Sequence, residues 1–111
     1  MVKLIELIKR KEGITHEEFM RYWSEKHGPL IARTIPGLKR YIQNHPIVLS
    51  QGKDPPLDGI AELWFDDLKA WRRSAEWFLG DEGKEAREDA EKFVDRRKLV
   101  VLVCEEKVFK E

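Results

Sequence analysis

The sequence predicts an α+β fold in which an antiparallel sheet of four strands carries its helices on one face. Four short runs have the apolar patterns of strands, and two longer stretches repeat apolar residues every three or four positions, as amphipathic helices do. A chain of 111 residues has room for one core, so we expect a single domain over residues 1–111. The first and last strand-like runs are apolar at both odd and even positions, which indicates that both faces of the sheet are covered.

The first half of the chain is predicted to form a strand, a helix and a second strand. Val2–Lys9 and Leu38–His45 carry the strand-like patterns. Between them, Thr15 opens a Thr-His-Glu-Glu capping box, which begins a helix. The Gly28-Pro29 pair is expected to weaken or bend that helix.

The second half repeats the pattern from strand to helix to strand. Gly59–Phe65 is the third predicted strand, Asp66 or Asp67 caps a helical region interrupted by two glycines, and Leu99–Phe109 is the last strand. The order β-α-β-β-α-β is the ferredoxin-like arrangement. Helices on one face leave an apolar face uncovered, so we expect two copies to pack sheet against sheet as a dimeric α+β barrel.

Composition restricts the possible partners and location. Lys plus Arg and Asp plus Glu both number 21, so the balanced surface has no field to attract nucleic acid or an anionic membrane. Cys104 is the only cysteine, which excludes an internal disulfide and favours a reducing compartment. Glu6 and Lys9 interrupt the N-terminal apolar run, so we expect no signal peptide or membrane span, and a cytoplasmic protein.

Short motifs that mix polar, aromatic and glycine residues follow one another along nearly the whole chain. They are Ile8-Lys9-Arg10-Lys11-Glu12-Gly13, His16-Glu17-Glu18-Phe19, Tyr22-Trp23, His27-Gly28-Pro29, Pro36-Gly37-Leu38, Tyr41-Ile42-Gln43-Asn44-His45, Asp58-Gly59-Ile60-Ala61-Glu62-Leu63-Trp64-Phe65 and Phe93-Val94-Asp95. In this order they resemble the EthD-like family of dimeric α+β barrel proteins. That family includes a lactone isomerase and proteins acting on aromatic or polyketide-type compounds. The resemblance therefore implies a homodimer that binds a small, mostly apolar cyclic or aromatic metabolite in its barrel.

Two residues are candidates for proton transfer and for polarising a substrate oxygen. His27 ends the first predicted helix, where the helix dipole favours the protonated ring, although it can equally cap the helix or pack. The resemblance implies a function, because the histidine of the His-Gly-Pro motif is implicated in the isomerase relative. Tyr41 can donate a hydrogen bond to a carbonyl or phenolate oxygen, or else be a core tyrosine with its hydroxyl at the barrel rim.

Alternation along the strands predicts which side chains face the helices and which face the interior between two sheets. Those assigned to the helices are Ile5 and Leu7 of the first strand, Leu38 and Ile42 of the second, and Ala61, Leu63 and Phe65 of the third. Those assigned to the interior are Leu4, Glu6 and Ile8, then Tyr41 and Gln43, then Ile60, Glu62 and Trp64. A slip of one residue would invert every assignment on its strand.

The two glutamates of the predicted interior have two interpretations. If Glu6 and Glu62 approach each other, repulsion and burial raise at least one pKa towards that of a general acid or base. Alternatively, Lys39 or an arginine of a partner copy neutralises them in a structural ion pair. The resemblance favours Glu62 as the catalytic residue. The ligand-binding residues are expected to be Glu6, Gln43, Asn44 and Trp64.

The sequence supports two functions and a structural alternative. The first is a cofactor-independent isomerase or dehydratase, or a component of an oxidative degradation pathway, in which His27, Tyr41 and Glu62 act on the substrate. The second is an accessory protein that binds a hydrophobic metabolite unchanged, and the third is a dimer whose interior is filled. We expect no cofactor or metal, because the three histidines and one cysteine are scattered and there is no glycine-rich phosphate loop.

Overall fold

The computed structural model describes residues 1–111, which form four strands and four α-helices. The strands are β1 (Val2–Ile8), β2 (Arg40–Asn44), β3 (Gly59–Phe65) and β4 (Val100–Glu105). The α-helices are α1 (His16–Tyr22), α2 (Gly28–Thr34), α3 (Leu68–Leu79) and α4 (Lys84–Glu91). A π-helical turn (Trp23–His27) joins α1 to α2, and a 3-10 turn (Asp81–Gly83) precedes α4. None of the helices combines the length and apolarity needed to cross a membrane.

The strands form one sheet in the order β2-β3-β1-β4, and every neighbouring pair is antiparallel. This confirms the predicted β-α-β-β-α-β, ferredoxin-like arrangement. The last strand is shorter than predicted, because β4 ends at Glu105, which lies opposite Val2 at the beginning of β1. The chain beyond Glu105 therefore has no part of β1 to pair with, although its residues are of strand-forming types.

The first helical segment begins as predicted but continues past the residues expected to bend it. The Thr15 side chain accepts a hydrogen bond from the Glu18 N–H, and the Glu18 carboxylate accepts one from Thr15. Gly28 has the helical φ of −54°, and its N–H bonds to the Trp23 carbonyl in the longer π-helical spacing. Pro29 lies in the first turn of α2, a position at which proline is tolerated.

The core lies between the sheet and the helices and is dominated by aromatic rings. Phe19, Trp23 and Phe93 form a chain of tilted ring contacts, with centroids 5.5 Å apart for the first pair and 5.3 Å for Phe19 and Phe93. Gly59 makes room for this cluster, because a Cβ at that position would lie 2.5 Å from the Trp23 ring. The core thereby fixes Trp23, and with it the π-helical turn, against the beginning of β3.

The register of the sheet confirms the predicted direction of the side chains on one strand, β3. Ala61, Leu63 and Phe65 of β3 are each at most 2% exposed and pack under the helices, as predicted. On β1, Leu4 lies opposite Leu63 and Glu6 opposite Ala61, and residues directly opposite each other in an antiparallel pair share a face.

The orientations predicted for β1 and for the residues of β2 are therefore wrong, whereas Leu38, which precedes β2, packs against the core as predicted. Glu6 faces the helices, and Ile5 and Leu7 face away from them. On β2, Tyr41 lies opposite Leu63 and Gln43 opposite Ala61, so both also face the helices, whereas Ile42 does not. Because these strands have apolar residues at odd and even positions, their patterns do not fix which set faces the helices.

The face of the sheet away from the helices, which we call the outer face, is incompletely covered within one chain. It carries Lys3, Ile5, Leu7, Arg40, Ile42, Asn44, Ile60, Glu62, Trp64, Val100, Leu102 and Cys104. Leu102 remains 48% exposed and Trp64 only 8%, because Lys3 and Arg40 extend over the indole ring at 5.0 Å and 4.9 Å from its centroid. The outer face is therefore a mixture of apolar, aromatic and charged side chains.

Candidate functional site

A mostly apolar cavity of about 290 Å³ lies between the sheet and the helices. Its apolar wall comes from β1, β3 and the helices and includes Leu4, Trp23 and Phe78. The polar side chains on the wall are Glu6, His27, Tyr41, Ser74, Arg87 and Arg96. The cavity is thus formed within one chain, on the helix side of the sheet, whereas the alternation along the strands predicted one between the sheets of two copies.

His27 and Asp89 form a hydrogen-bonded pair on the cavity wall. The His27 Nδ1 lies 2.8 Å from the Asp89 Oδ2, and the Tyr22 hydroxyl donates a hydrogen bond to the other carboxylate oxygen. These hydrogen bonds hold the pKa of Asp89 below its usual value although burial opposes them, so the carboxylate is ionised and only accepts. Nδ1 therefore carries the proton, and Nε2 of the neutral ring is the nitrogen able to accept one.

Burial sets the charge of the His27 ring. It lowers the pKa of His27 below the usual histidine value, and the hydrogen bond to Asp89 opposes this only in part. The helix-dipole argument predicted the opposite shift. It does not apply, because the helical path continues from His27 into α2, so His27 does not lie at the C-terminal end of a helix. At neutral pH the ring is uncharged and can act as a base.

Glu6 is an acid in an apolar wall. It lies on β1 opposite Ala61 and Val101, and burial, with no hydrogen bond or charge to offset it, raises the pKa of Glu6 to about 7. Near neutral pH a large fraction of this side chain is therefore a neutral carboxylic acid, which donates one hydrogen bond and accepts others.

Tyr41 is held by the side chain of Gln43 on the same strand. The Gln43 Nε2 lies 3.0 Å from the Tyr41 hydroxyl oxygen and 2.9 Å from the Trp23 carbonyl oxygen, and donates to both. Burial, reinforced by the nearby charge of Glu6, raises the pKa of Tyr41 to about 12. Tyr41 is therefore a neutral hydroxyl whose own proton is not engaged by Gln43. Gln43 also links β2 to the π-helical turn that carries His27.

The remaining predicted site residues lie on the outer face. Glu62 accepts hydrogen bonds from the Lys3 Nζ at 2.8 Å and from the Asn44 Nδ2 at 3.0 Å, and these contacts hold its pKa below the usual glutamate value. These contacts are those of a structural ion pair. Its cation is Lys3 of the same chain, whereas the predicted cation was Lys39 or an arginine of a partner copy. Glu62 lies opposite Ile5 in the register, so Glu6 and Glu62 are on opposite faces and do not interact as the sequence analysis supposed.

The structure thus divides the predicted site into two groups. Glu6, His27 and Tyr41 line one cavity, with Gln43 directly behind Tyr41. Glu62, Asn44 and Trp64 are separated from that cavity by the sheet itself.

Sequence reasoning missed Asp89 and Tyr22, which complete the histidine site. Asp89 follows Ala86 by three positions and precedes Phe93 by four, and all three are buried. A carboxylate on the buried face of a helix is costly unless it is paired, so this spacing was a signal that it has a partner.

A second buried charge cluster was also missed. Asp58 is fully buried and accepts hydrogen bonds from the Arg10 backbone N–H at 2.8 Å and the Arg10 Nη1 at 2.9 Å, and it lies 2.7 Å from the His16 Nδ1. These contacts tie the segments after β1 and before β3 to the start of α1, away from the cavity. No group of three or more His, Cys, Asp or Glu side chains is arranged to hold a metal ion.

The sequence and fold were compared with those of known proteins. The profile of the EthD domain matches residues 11–97. None of the curated proteins is significantly similar to the chain.

Several solved structures share the fold. An ethyl tert-butyl ether D (EthD) family protein of Bacillus halodurans is 31% identical, with 96% of this chain and 99% of that chain covered and a TM-score of 0.71. A dimeric, ferredoxin-like protein of unknown function from Bacteroides fragilis is 15% identical, with 95% of each chain covered and a TM-score of 0.63. SnoaB, a cofactor-independent oxygenase of Streptomyces nogalater, is 13% identical, with 99% and 97% covered and a TM-score of 0.63.

Proposed function

The chain belongs to the EthD domain family, and we propose that it binds a small, mostly apolar cyclic or aromatic metabolite in its cavity and transfers a proton on it. The observation that carries this proposal is the position of His27. Its ring lines an apolar cavity, and the ionised Asp89 holds it in the tautomer that leaves Nε2 as the proton acceptor. A buried, oriented and neutral histidine is suited to general base catalysis near neutral pH.

The proposed chemistry is a proton shift next to a carbonyl group. The His27 Nε2 removes a proton from a carbon beside the carbonyl, and the electron pair of the broken C–H bond moves towards the carbonyl oxygen as an enolate forms. Asp89 stabilises the imidazolium produced. Return of the proton to a different carbon completes an isomerisation, and loss of hydroxide from the neighbouring carbon, protonated as it leaves, completes a dehydration. No cofactor takes part in either reaction.

Tyr41 supplies a hydrogen bond to the oxygen on which negative charge develops. Its high pKa keeps it protonated, and the hydrogen bond from Gln43 occupies its oxygen, so its own proton is free to be donated. Glu62 was the predicted assistant in this step. In this proposal Glu6 replaces it, because Glu6 shares the cavity with His27 and Tyr41.

The experiment compares the wild type with His27→Ala and with Lys26→Ala, a neighbouring exposed position, on small lactones and hydroxylated aromatic ketones. Loss of a positioned general base lowers kcat by roughly 10²–10⁴-fold. We expect that loss for His27→Ala and wild-type rates for Lys26→Ala. Equal turnover by wild type and His27→Ala on a substrate that the protein converts would remove His27 from the mechanism.

The alternative is a protein that binds the metabolite without converting it. The apolar lining of the cavity suits this function equally well, since it needs no titrating group at the ligand. Bound compound recovered unchanged, with the His27 pKa unaffected by the ligand in an NMR titration, would favour the binding protein.

We also propose that two copies form a homodimer through their outer faces, in a reducing compartment such as the cytoplasm. The half-exposed apolar residues of the outer face support the homodimer, and a relative of the same fold is dimeric. The free Cys104 supports the reducing compartment.

A further inference from the structure

We infer that Glu6 and Tyr41 together form an oxygen-binding subsite, which selects uncharged ring compounds carrying a carbonyl or phenol oxygen and rejects carboxylates. The inference rests on the proposed function in one respect, since it uses the same cavity. It assigns the part of the cavity that binds the ligand oxygen, whereas the proposed function concerns the base at His27.

The sheet places the two side chains on one face of neighbouring rows. Gln43, Ala61 and Glu6 lie side by side across β2, β3 and β1. Tyr41 lies opposite Leu63 in the neighbouring row along the strands, on the same face of the sheet. Only the small side chain of Ala61 separates Gln43 from Glu6. The space above Ala61 is therefore bordered on one side by Gln43, which bonds the Tyr41 hydroxyl, and on the other by Glu6, whose charge is near enough to raise the pKa of Tyr41.

The hydrogen bonds around Tyr41 determine which way its proton points. Its hydroxyl oxygen already accepts from the Gln43 Nε2, and no protein acceptor takes its proton. Gln43 cannot turn away easily, because the same nitrogen bonds the Trp23 carbonyl at 2.9 Å. The Tyr41 proton is thus the free donor at this point of the cavity wall.

Glu6 is a half-buried carboxyl on the cavity wall, and no protein side chain forms a hydrogen bond or an ion pair with it. Desolvation by the apolar wall is the one cause of its raised pKa of about 7. A polar group in an apolar wall without a partner is unfavourable, and a ligand group that bonds to it recovers that energy. In its neutral form Glu6 is a second hydrogen-bond donor beside Tyr41.

Two neutral donors on the wall of one cavity suit an oxygen that becomes negative during reaction. A tyrosine beside a protonated carboxylic acid stabilises an enolate or phenolate in this way. A permanently charged carboxylate at this point would lie beside the Glu6 carboxyl, which forms no ion pair with a cation of the chain. The two arginines on the wall are already bonded, Arg87 to the carbonyls of Phe78 and Gly80 and Arg96 to Glu91.

The test uses 2-naphthol, which has an aromatic hydroxyl, and naphthalene, which has the same rings without it. Both are small enough for a cavity of about 290 Å³. We expect wild type to bind 2-naphthol at least about tenfold more tightly than naphthalene by equilibrium fluorescence titration, since one or two buried hydrogen bonds separate the ligands. The same titration with 2-naphthoate is expected to show binding weaker than that of 2-naphthol.

The variants are Glu6→Leu and Tyr41→Phe, with Glu105→Leu as the matched control on an exposed part of the sheet. We expect the preference for the hydroxyl to fall towards unity in the first two and to persist in the control. Glu6→Gln keeps a neutral donor and should retain much of the preference, which separates loss of the donor from damage to the fold. Circular dichroism confirms that each variant is folded.

The result decides this inference independently of the proposed catalysis. A hydroxyl preference that survives Glu6→Leu and Tyr41→Phe, tighter binding of the naphthoate, or wild type that binds neither naphthalene nor 2-naphthol overturns the subsite. His27→Ala should retain the hydroxyl preference. If the preference depends on Glu6 and no substrate is turned over, the subsite stands and the catalytic proposal fails. If turnover depends on His27 but the hydroxyl preference is absent, the catalytic proposal stands and the subsite fails.

Discussion

At the scale of single residues, the cavity combines two ionisable groups whose pKa values burial has moved towards each other. Burial lowers the pKa of His27 and raises that of Glu6 to about 7. At neutral pH the His27 ring is therefore largely uncharged and a large fraction of Glu6 is the neutral acid, whereas a glutamate in water is ionised at that pH. Neutral forms suit an apolar cavity and make one group a proton acceptor and the other a donor.

The stability of the protein is expected to depend on pH through Glu6. Its pKa is higher in the folded protein than in the unfolded chain, so the folded state binds the proton more tightly. The free energy of unfolding should therefore fall as pH rises from about 4.5 to about 7, by roughly 3 kcal/mol at about 1.4 kcal/mol per pKa unit. Urea unfolding of wild type and Glu6→Gln across this range measures the difference.

Glu6→Gln is expected to lack this part of the pH dependence, and Glu105→Gln to behave as wild type. The other titratable groups on the cavity wall are His27, Tyr41, Arg87 and Arg96. His27 is unchanged in both variants, so its contribution cancels in the comparison, and Tyr41 and the arginines keep one charge state at these pH values. Parallel curves for wild type and Glu6→Gln would show that Glu6 titrates normally.

At the scale of elements, the π-helical turn determines where His27 lies. The turn is bonded to β2 through Gln43, whose Nε2 reaches the Trp23 carbonyl, and it passes close to Gln43 at Gly28. A Cβ on Gly28 would lie 2.7 Å from that nitrogen. The glycine is therefore needed for this close approach and not for any unusual φ, since its backbone is helical.

Gly28→Ala is expected to destabilise the protein by about 1–3 kcal/mol, because Gln43 must leave its hydrogen bonds to Trp23 and Tyr41. Helix propensity alone predicts the opposite sign, a gain of up to about 1 kcal/mol. Urea unfolding decides between them, with Ser24→Ala on the exposed side of the same turn as the control. A Gly28→Ala protein more stable than wild type would mean that Gln43 is not fixed by this contact.

At the scale of the whole molecule, the two faces of the sheet have different surroundings. The helix face encloses the cavity, while the outer face presents half-exposed apolar residues together with the Lys3–Glu62 ion pair at 2.8 Å. A surface of this kind usually meets a partner. Since the cavity is formed within one chain, the proposed dimer is not needed to build the site, and it supports the sheet from the other side.

The proposed homodimer gives a prediction with a matched control. Leu102 on the outer face is 48% exposed and Leu68 at the start of α3 is 45% exposed. Leu102→Asp places a charge in the proposed interface and should yield monomers in sedimentation equilibrium at micromolar concentration, whereas wild type and Leu68→Asp remain dimers. A monomeric wild type, or a dimeric Leu102→Asp protein with wild-type affinity, would contradict an interface on the outer face.

The sequence by itself determined the kinds and order of the elements. The capping box at Thr15, a cap at Asp66 or Asp67 (the structure has Asp67) and the strands are consequences of local hydrogen bonding and of apolar periodicity, which act over a few residues. His27 and Tyr41 were also identified as candidates from residue type and the His-Gly-Pro motif, and the structure places both on one cavity.

The tertiary structure alone decided which face each strand presents, and so where the site lies. Glu6 and Tyr41 face the helices because the register sets them opposite Ala61 and Leu63, and a strand apolar on both sides carries no local signal for that choice. Asp89 reaches His27 from 62 residues further along the chain. Such contacts form only when distant elements pack. Of the two glutamates that strand periodicity assigned to one interior, the fold therefore places Glu6 on the cavity wall and Glu62 on the outer face.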